Sequence, residues 1–167
     1  MTLARLRIVP CLWFDGQAQE AANHYVAIFP NSRIARVSHY GEVEQEVSGQ
    51  QPGTVLTVAF ELDGQPFTAL NGTPAFRFSE AVSLQVMCET QDEVDYYWER
   101  LGAGGDEQAQ QCGWLKDRYG LSWQVVPRIV TQIVGEAGSA PSQRAMAALL
   151  QMKKLDIARL QRAYAGG

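Results

Sequence analysis

Cysteine and histidine are scarce in this sequence, with three cysteines and two histidines among 167 residues. Cys11, Cys88 and Cys112 are odd in number and far apart. That argues against a disulfide framework and against a thiolate zinc site, and it fits a reducing, cytoplasmic compartment. Positive charge is not in excess either. Fourteen Lys and Arg against 18 Asp and Glu leave a net charge of −4 and a pI near 5.2. Such a chain has no electrostatic reason to seek phosphate backbones or anionic membranes, so neither nucleic acid nor a membrane is expected as a partner. No apolar run is long enough to span a bilayer. The run Ile8–Phe14 follows Arg5 and Arg7 and superficially resembles a signal peptide. It is short, contains Pro10 and Trp13, and stops at Asp15 without a small-residue cleavage site, so it reads as a strand.

What is present is ordinary for a globular chain: 46% hydrophobic and 19% charged residues. The length suits one domain, or two half-size modules sharing a core. Ile8–Phe14 is apolar on both faces, as a central strand would be. Ala18, Ala21, Ala22, Tyr25, Val26 and Phe29 then recur at helical spacing until Pro30-Asn31. A strand is expected over Ile34–Tyr40, a polar loop over Gly41–Gly53, and strands over Thr54–Leu62 and Gln65–Leu70. Asp63-Gly64 between the last two suits the positive φ angles of a tight hairpin. Asn71–Ser79 reads as a connection.

The pattern then starts again. Val82–Cys88 is strand-like, and Thr90 with Glu93 forms a capping-box signature. Val94, Tyr97, Trp98 and Leu101 mark a helical face that Gly102, Gly104 and Gly105 end. Trp114–Asp117 and Leu121–Val126 read as a final hairpin. Ala22, Tyr25, Val26 and Phe29 match Val94, Tyr97, Trp98 and Leu101 at one constant offset, which suggests a duplicated supersecondary unit. Module 1 covers about 1–79 and module 2 about 80–130. Met146, Leu149, Leu150, Ile157, Leu160 and Tyr164 predict one long amphipathic helix over about 139–164, with Lys153 and Lys154 on its wet face.

Few residues stand out as chemistry. Cys112 precedes Gly113 near Lys116, whose charge could lower a thiol pKa, yet free cysteine commonly packs as a small hydrophobe, and the structural reading is preferred. Lys116-Asp117 reads as turn residues, with Asp117 bonding local backbone amides. Glu61 and Asp63 bracket a hairpin and are expected in solvent. His24, on a helix, and His39 lack ligand spacing with a partner carboxylate. Trp13, Phe76, Phe78, Trp114, Asn71 and Gln124, with Cys112, are the candidate ligand-binding residues: aromatics beside a few polar anchors suit a small-molecule pocket.

Pro10-Cys11-Leu12-Trp13-Phe14-Asp15-Gly16-Gln17-Ala18, followed by Tyr25 and Phe29, resembles the opening of the PhnB-like, demethylubiquinone 3-methyltransferase-like family. Cys112-Gly113-Trp114-Leu115-Lys116-Asp117 and Gly120-Leu121-Ser122-Trp123-Gln124 are similar to its closing motif, and Met152–Ile157 to its C-terminal segment. The resemblance implies an α+β, glyoxalase-like (vicinal oxygen chelate) fold. It would have two βαβββ modules, mostly antiparallel sheets curled around a cavity, and an added C-terminal helix, usually as a homodimer. Metal-dependent members of the wider class place His, Glu or Gln on cavity strands. Here those positions fall on Pro10, at or beside Ser83, and on Gln124, too few donors for a divalent ion, so neither metal nor another cofactor is expected. Methyl transfer, which the family name asserts, finds no support. The only glycine cluster, Gly102–Gly105, follows a helix instead of joining a parallel strand to one. The reading is a metal-free protein for a small ligand. The alternatives are a divalent-metal lyase, dioxygenase or resistance enzyme of the same class, and a non-catalytic dimeric module.

Overall fold

The computed structural model describes residues 7–167, without the side chains of Glu44, Glu46 and Val47. Arg5 lies outside the described residues. The chain divides into two units, one ending at Arg77 and the other running from Phe78 to Gly167.

The first unit runs β1 (Cys11–Phe14), α1 (Ala18–Ile28), β2 (Arg33–His39), α2 (Glu42–Ser48), β3 (Val55–Leu62) and β4 (Gln65–Asn71). Its sheet has the order β1-β4-β3-β2, with β1 parallel to β4 and the other pairs antiparallel. Asp63 and Gly64 both take left-handed φ angles, and Leu62 faces Gln65 across them, as a two-residue hairpin requires. Side-chain alternation puts Leu12, Phe14, Val58, Phe60, Leu62, Phe67 and Ala69 on the buried face. Ala18, Ala21, Ala22, Tyr25 and Ile28 of α1 cover that face. Two expectations change here. β1 is an edge strand of its sheet, and Ile8, 86% exposed, precedes it. An unbroken apolar run marks a strand but cannot rank it as central. The polar Gly41–Gly53 stretch also holds α2, a short helix rich in Glu and Gln, residues that favour helix.

The second unit runs β5 (Leu84–Cys88), α3 (Gln91–Gly102), a 3₁₀ turn at Glu107–Ala109, β6 (Trp114–Lys116), β7 (Ser122–Pro127), α4 (Arg128–Gly135), α5 (Ala140–Leu149) and α6 (Ile157–Ala165). Thr90 caps α3 by accepting from Glu93 N at 3.2 Å, while the Glu93 carboxylate accepts from Glu89 N at 2.6 Å, one residue earlier than a standard capping box. The sheet order is β5-β7-β6, with β5 parallel and β6 antiparallel to β7.

The duplication is therefore unequal. The first unit has the expected strand order, interrupted by α2, whereas the second is βαββ. In place of its second strand stand the glycine turn, the 3₁₀ turn and a single bridge, Gln111 to Trp114. Each sheet is mixed, and in the second the parallel pairing is the longer of the two. The expected curl around a cavity is not seen in either sheet. Three or four short strands are too few to close on themselves.

The tail also differs from one long helix. The chain leaves α5 at Leu150 and restarts at Asp156, which caps α6 by accepting from Arg159 N at 2.8 Å. Met152 and Leu155, inside this break, are buried with Ile133, Ala145, Leu149 and Leu160. The apolar pattern continued through the break because the turn itself packs inward. α4, which belongs to the same cluster through Ile133, was not expected after Pro127.

Gly105 shows how tightly the glycine turn is held. A Cβ there would lie 1.9 Å from the carbonyl oxygen of Lys116. Gly105→Ala should destabilise the protein by about 3 kcal/mol, through overpacking against backbone that cannot yield. Urea unfolding with an unchanged midpoint would contradict this placement.

Candidate functional site

The candidate residues separate into two groups, one in each unit. In the first unit the Trp13 indole donates to Thr73 O at 2.8 Å and meets Phe76 edge-on, with ring centroids 5.0 Å apart. The indole lies against Gly72, where a Cβ would come within 1.9 Å of the ring. Asn71 is a structural joint. Its Oδ1 accepts from Ala18 N at 2.8 Å, at the start of α1, and its Nδ2 donates to Val55 O at 3.0 Å, at the start of β3. Its carbonyl accepts from the Tyr40 hydroxyl. Both ends of the amide are engaged, which argues against its role as a ligand anchor. Phe76 is exposed beside Trp13.

The second unit gathers the rest. Gln111 and Trp114 exchange backbone hydrogen bonds of 3.1 and 2.8 Å, and between them Cys112 and Gly113 both have positive φ. This is a two-residue hairpin turn with cysteine where asparagine or aspartate is usual, so its dipeptide gave no turn signal. The turn's amides donate outward, Cys112 N to Met152 O and Gly113 N to Lys153 O, both at 2.8 Å. The Cys112 side chain packs on the helical cluster, as a small hydrophobe would. Cys112 and Trp114 also line a cleft of about 420 Å³ together with Glu80, Ala109 and Gln111. Phe78 is half-buried at the start of this unit and is not part of that lining.

Gln124 lies on β7 opposite both Gln85 and Trp114. Its Nε2 donates to Ser83 Oγ at 2.7 Å, and its Oε1 accepts from Gln85 Nε2 at 3.2 Å. These three neutral groups bond to one another, and Pro10 offers no side-chain donor. The residues present do not fit a resident divalent metal, which needs several charged or strongly donating ligands. Among the described residues no cluster of three or more His, Cys, Asp or Glu side chains could hold a metal ion. His24 is half-buried on α1 with its ring tilted against Tyr25, and His39 is exposed at the end of β2.

Two groups that the sequence marked as turn residues matter more than expected. Asp117 is buried. Its Oδ1 accepts from Tyr119 N at 2.8 Å and Leu121 N at 3.0 Å, and its Oδ2 from Trp123 Nε1 at 2.8 Å. Lys116 points the other way, and its ammonium is held by the Glu80 carboxylate. That ion pair keeps the Glu80 carboxyl below the usual carboxylate range. Ser122, opposite Lys116 across the hairpin, is 1% exposed, and its hydroxyl has no hydrogen-bond partner among the described residues. Leaving a buried hydroxyl unpaired costs about 1–3 kcal/mol. A larger cleft of about 770 Å³ lies between α3 and the α6 turn. Several of its polar groups are already engaged: Lys154 holds Asp95 at 2.6 Å, and Gln91 bonds Asp95, Leu155 O and Ile157 N.

Comparison with known proteins adds the following. The profile of the 3-demethylubiquinone-9 3-methyltransferase family matches residues 6–126. The structure is similar to that of a putative 3-demethylubiquinone-9 3-methyltransferase, a PhnB protein from Bacillus cereus. The two are 33% identical over 73% of this chain and 99% of that one, with a TM-score of 0.63. It is also similar to protein PA1353 from Pseudomonas aeruginosa, at 20% identity over 73% of this chain and 97% of that one, with a TM-score of 0.57. No curated protein matches the chain.

Two outcomes follow from this geometry. Burial, reinforced by the charges of Glu93 and Glu89, pushes the Cys88 thiol up to about 12. Cys88 should therefore stay unmodified by iodoacetamide at pH 8 in the folded protein, since the thiolate is the nucleophile. Peptide mass spectrometry showing Cys88 alkylated as fast as in the unfolded chain would contradict its burial. Asn71→Ala should cost about 2–3 kcal/mol in chemical unfolding, because it strands Ala18 N and Val55 O. A loss under about 0.5 kcal/mol, the size of an ordinary surface change, would remove the joint.

Proposed function

Because the chain belongs to the PhnB-like 3-demethylubiquinone-9 3-methyltransferase family, we propose that it is a glyoxalase-like small-molecule-binding protein. It works without a resident metal, and its ligand occupies the cleft beside Cys112 and Trp114. The observation that carries this reading is the lining of that cleft by Trp114, Cys112 and Ala109 together with the polar residues Gln111 and Glu80. A mainly apolar hollow with a few placed polar groups is what a small organic ligand needs. The cleft belongs to the closing motif, whose turn is fixed by five backbone hydrogen bonds, so its walls are pre-formed.

Methyl transfer is not carried over from the family's name. The glycine cluster follows α3 instead of joining a parallel strand to a helix, and its Gly105 packs directly on the Lys116 backbone. The proposal includes a homodimer. β1 is an edge strand with exposed Ile8 and Val9 leading into it, and an apolar edge is a template for pairing with another chain. Sedimentation equilibrium at micromolar concentration should give twice the chain mass, and a monomer would end that part of the proposal.

A thermal-shift screen of small aromatic and carbonyl-bearing compounds tests the binding reading. A true ligand at a hundred times its Kd stabilises the native state by about 2.7 kcal/mol. Trp114→Ala should abolish the shift, while Trp13→Phe should leave it. A shift that survives Trp114→Ala would move the ligand out of this cleft.

A further inference from the structure

The cleft of about 770 Å³ between α3 and the α6 turn has charged residues in its wall: Lys153, Lys154 and Arg159 against Asp95 and Asp156. The two carboxylates are engaged within the fold. Asp95 accepts from Lys154, which holds its carboxyl below the usual carboxylate range, and from Gln91. Asp156 accepts from Arg159 N and so caps α6. The cations are less evenly matched. Lys154 is neutralised by Asp95, but the Lys153 ammonium has only the neutral Glu107 carbonyl, at 3.5 Å. The Arg159 guanidinium has no hydrogen bond or ion pair among the described residues. Elsewhere in this unit Lys116 and Arg128 are held by carboxylates, Arg118 and Arg144 by backbone carbonyls, and Arg100 lies over the Tyr96 ring. Arg162 alone shares the state of Arg159, and it lies outside the cleft wall. Unneutralised cations on one concave wall are a local exception in a chain of net charge −4.

We infer that this cleft binds the phosphate group of a small molecule, with Arg159 as a two-pronged donor and Lys153 as the neutralising charge. Both residues are exposed and carry long flexible stems, which lets their charged ends close on an anion seated between them. The planar guanidinium fork matches two phosphate oxygens at once, a geometry that an ammonium lacks. The frame is fixed beforehand. Gln91 on α3 donates to Leu155 O at 3.2 Å and accepts from Ile157 N at 2.9 Å, and Met152 and Leu155 are buried beneath. The volume exceeds what a bare ion needs and suits a phosphorylated molecule of metabolite size. A long polyanion such as nucleic acid is repelled by the chain's overall charge, which restricts the site to small anions. This site shares no lining residue with the cleft at Cys112 and Trp114 and stands independently of it.

Calorimetric titration of the full chain with inorganic phosphate, glycerol 3-phosphate and glycerol tests this. Both phosphates should bind, more weakly as sodium chloride is raised, and glycerol should not. The ester should bind several-fold tighter than the ion, whereas equal affinity assigns the site to free phosphate. Arg159→Gln and Lys153→Gln should each weaken the phosphates about threefold to tenfold, the scale of one charge-assisted hydrogen bond at an accessible site. Asp95→Asn keeps an acceptor for Gln91 but releases Lys154, and should tighten the phosphates about threefold, a gain that a merely structural role would not give. Arg162→Gln removes the same charge from the same helix outside the wall and should change affinity by less than about twofold. Trp114→Ala should leave it unchanged. No binding of either phosphate at millimolar concentration overturns the site. Equal losses in Arg159→Gln and Arg162→Gln reduce the effect to overall charge and overturn it as well. Loss of phosphate binding in Trp114→Ala moves the anion to the other cleft and overturns the inference while leaving that cleft standing.

Discussion

A buried carboxylate organises the second unit. Asp117 accepts from two backbone amides and the Trp123 indole, and its own amide donates to Leu121 O at 3.0 Å, so the β6–β7 hairpin closes around it. This fixes the register that sets Trp114 opposite Gln124 and Lys116 opposite Ser122. Register is decisive in a short strand pair, because a slip of β6 by one residue would turn Trp114 and Lys116 to the helix-covered face. The cleft wall at Trp114 depends on that constraint. Three N–H donors offset the desolvation of the charge, the condition under which a buried carboxylate is tolerated.

The first unit has a counterpart in Asn71, a buried amide that ties the end of β4 to the starts of α1 and β3. Each unit thus spends one buried polar side chain on connecting elements that apolar packing alone would leave free to slide. From that point the units diverge. The first keeps its β2–β3 pairing and fills the connection with α2. The second reduces the equivalent strand to the Gln111 bridge and adds α4, α5 and α6. The Met152 and Lys153 carbonyls receive the Cys112–Gly113 turn, so the added helices brace the motif that lines the cleft. The closing motif and the C-terminal segment, though separate in sequence, are a single packed feature.

Much of this was legible in the sequence, because the signals were local. Asp63-Gly64 marked its hairpin, Thr90 its helix start, and the apolar spacing of Ala18 to Tyr25 the face of α1. Asp117 was recognised as a turn residue from its position before Tyr119-Gly120. The misses have physical causes. Lys116 was read as a turn residue and a possible neighbour of Cys112, and its pairing with Glu80 could not be read, since it depends on which residues the fold brings alongside. The Cys112–Gly113 turn was hidden by an unusual residue at a positive φ. The tail read as one helix because Met152 and Leu155 are core residues of a turn, and periodicity does not register a break that packs inward. Asn71 was marked as a candidate ligand-binding residue at the start of a connection beside aromatics. Its two hydrogen bonds, over sequence separations of 53 and 16 residues, could come only from the fold.

The central claim is that the ligand site belongs to the closing motif of the second unit and not to the aromatic pair of the first. The indole N–H signals of Trp13 and Trp114 report on the two places separately. In ¹H–¹⁵N spectra of the full chain titrated with a compound that stabilises it, the Trp114 signal should shift in a saturable way. The Trp13 signal, held by Thr73 O, should stay where it is. A saturable shift of Trp13 with Trp114 unmoved would contradict the account.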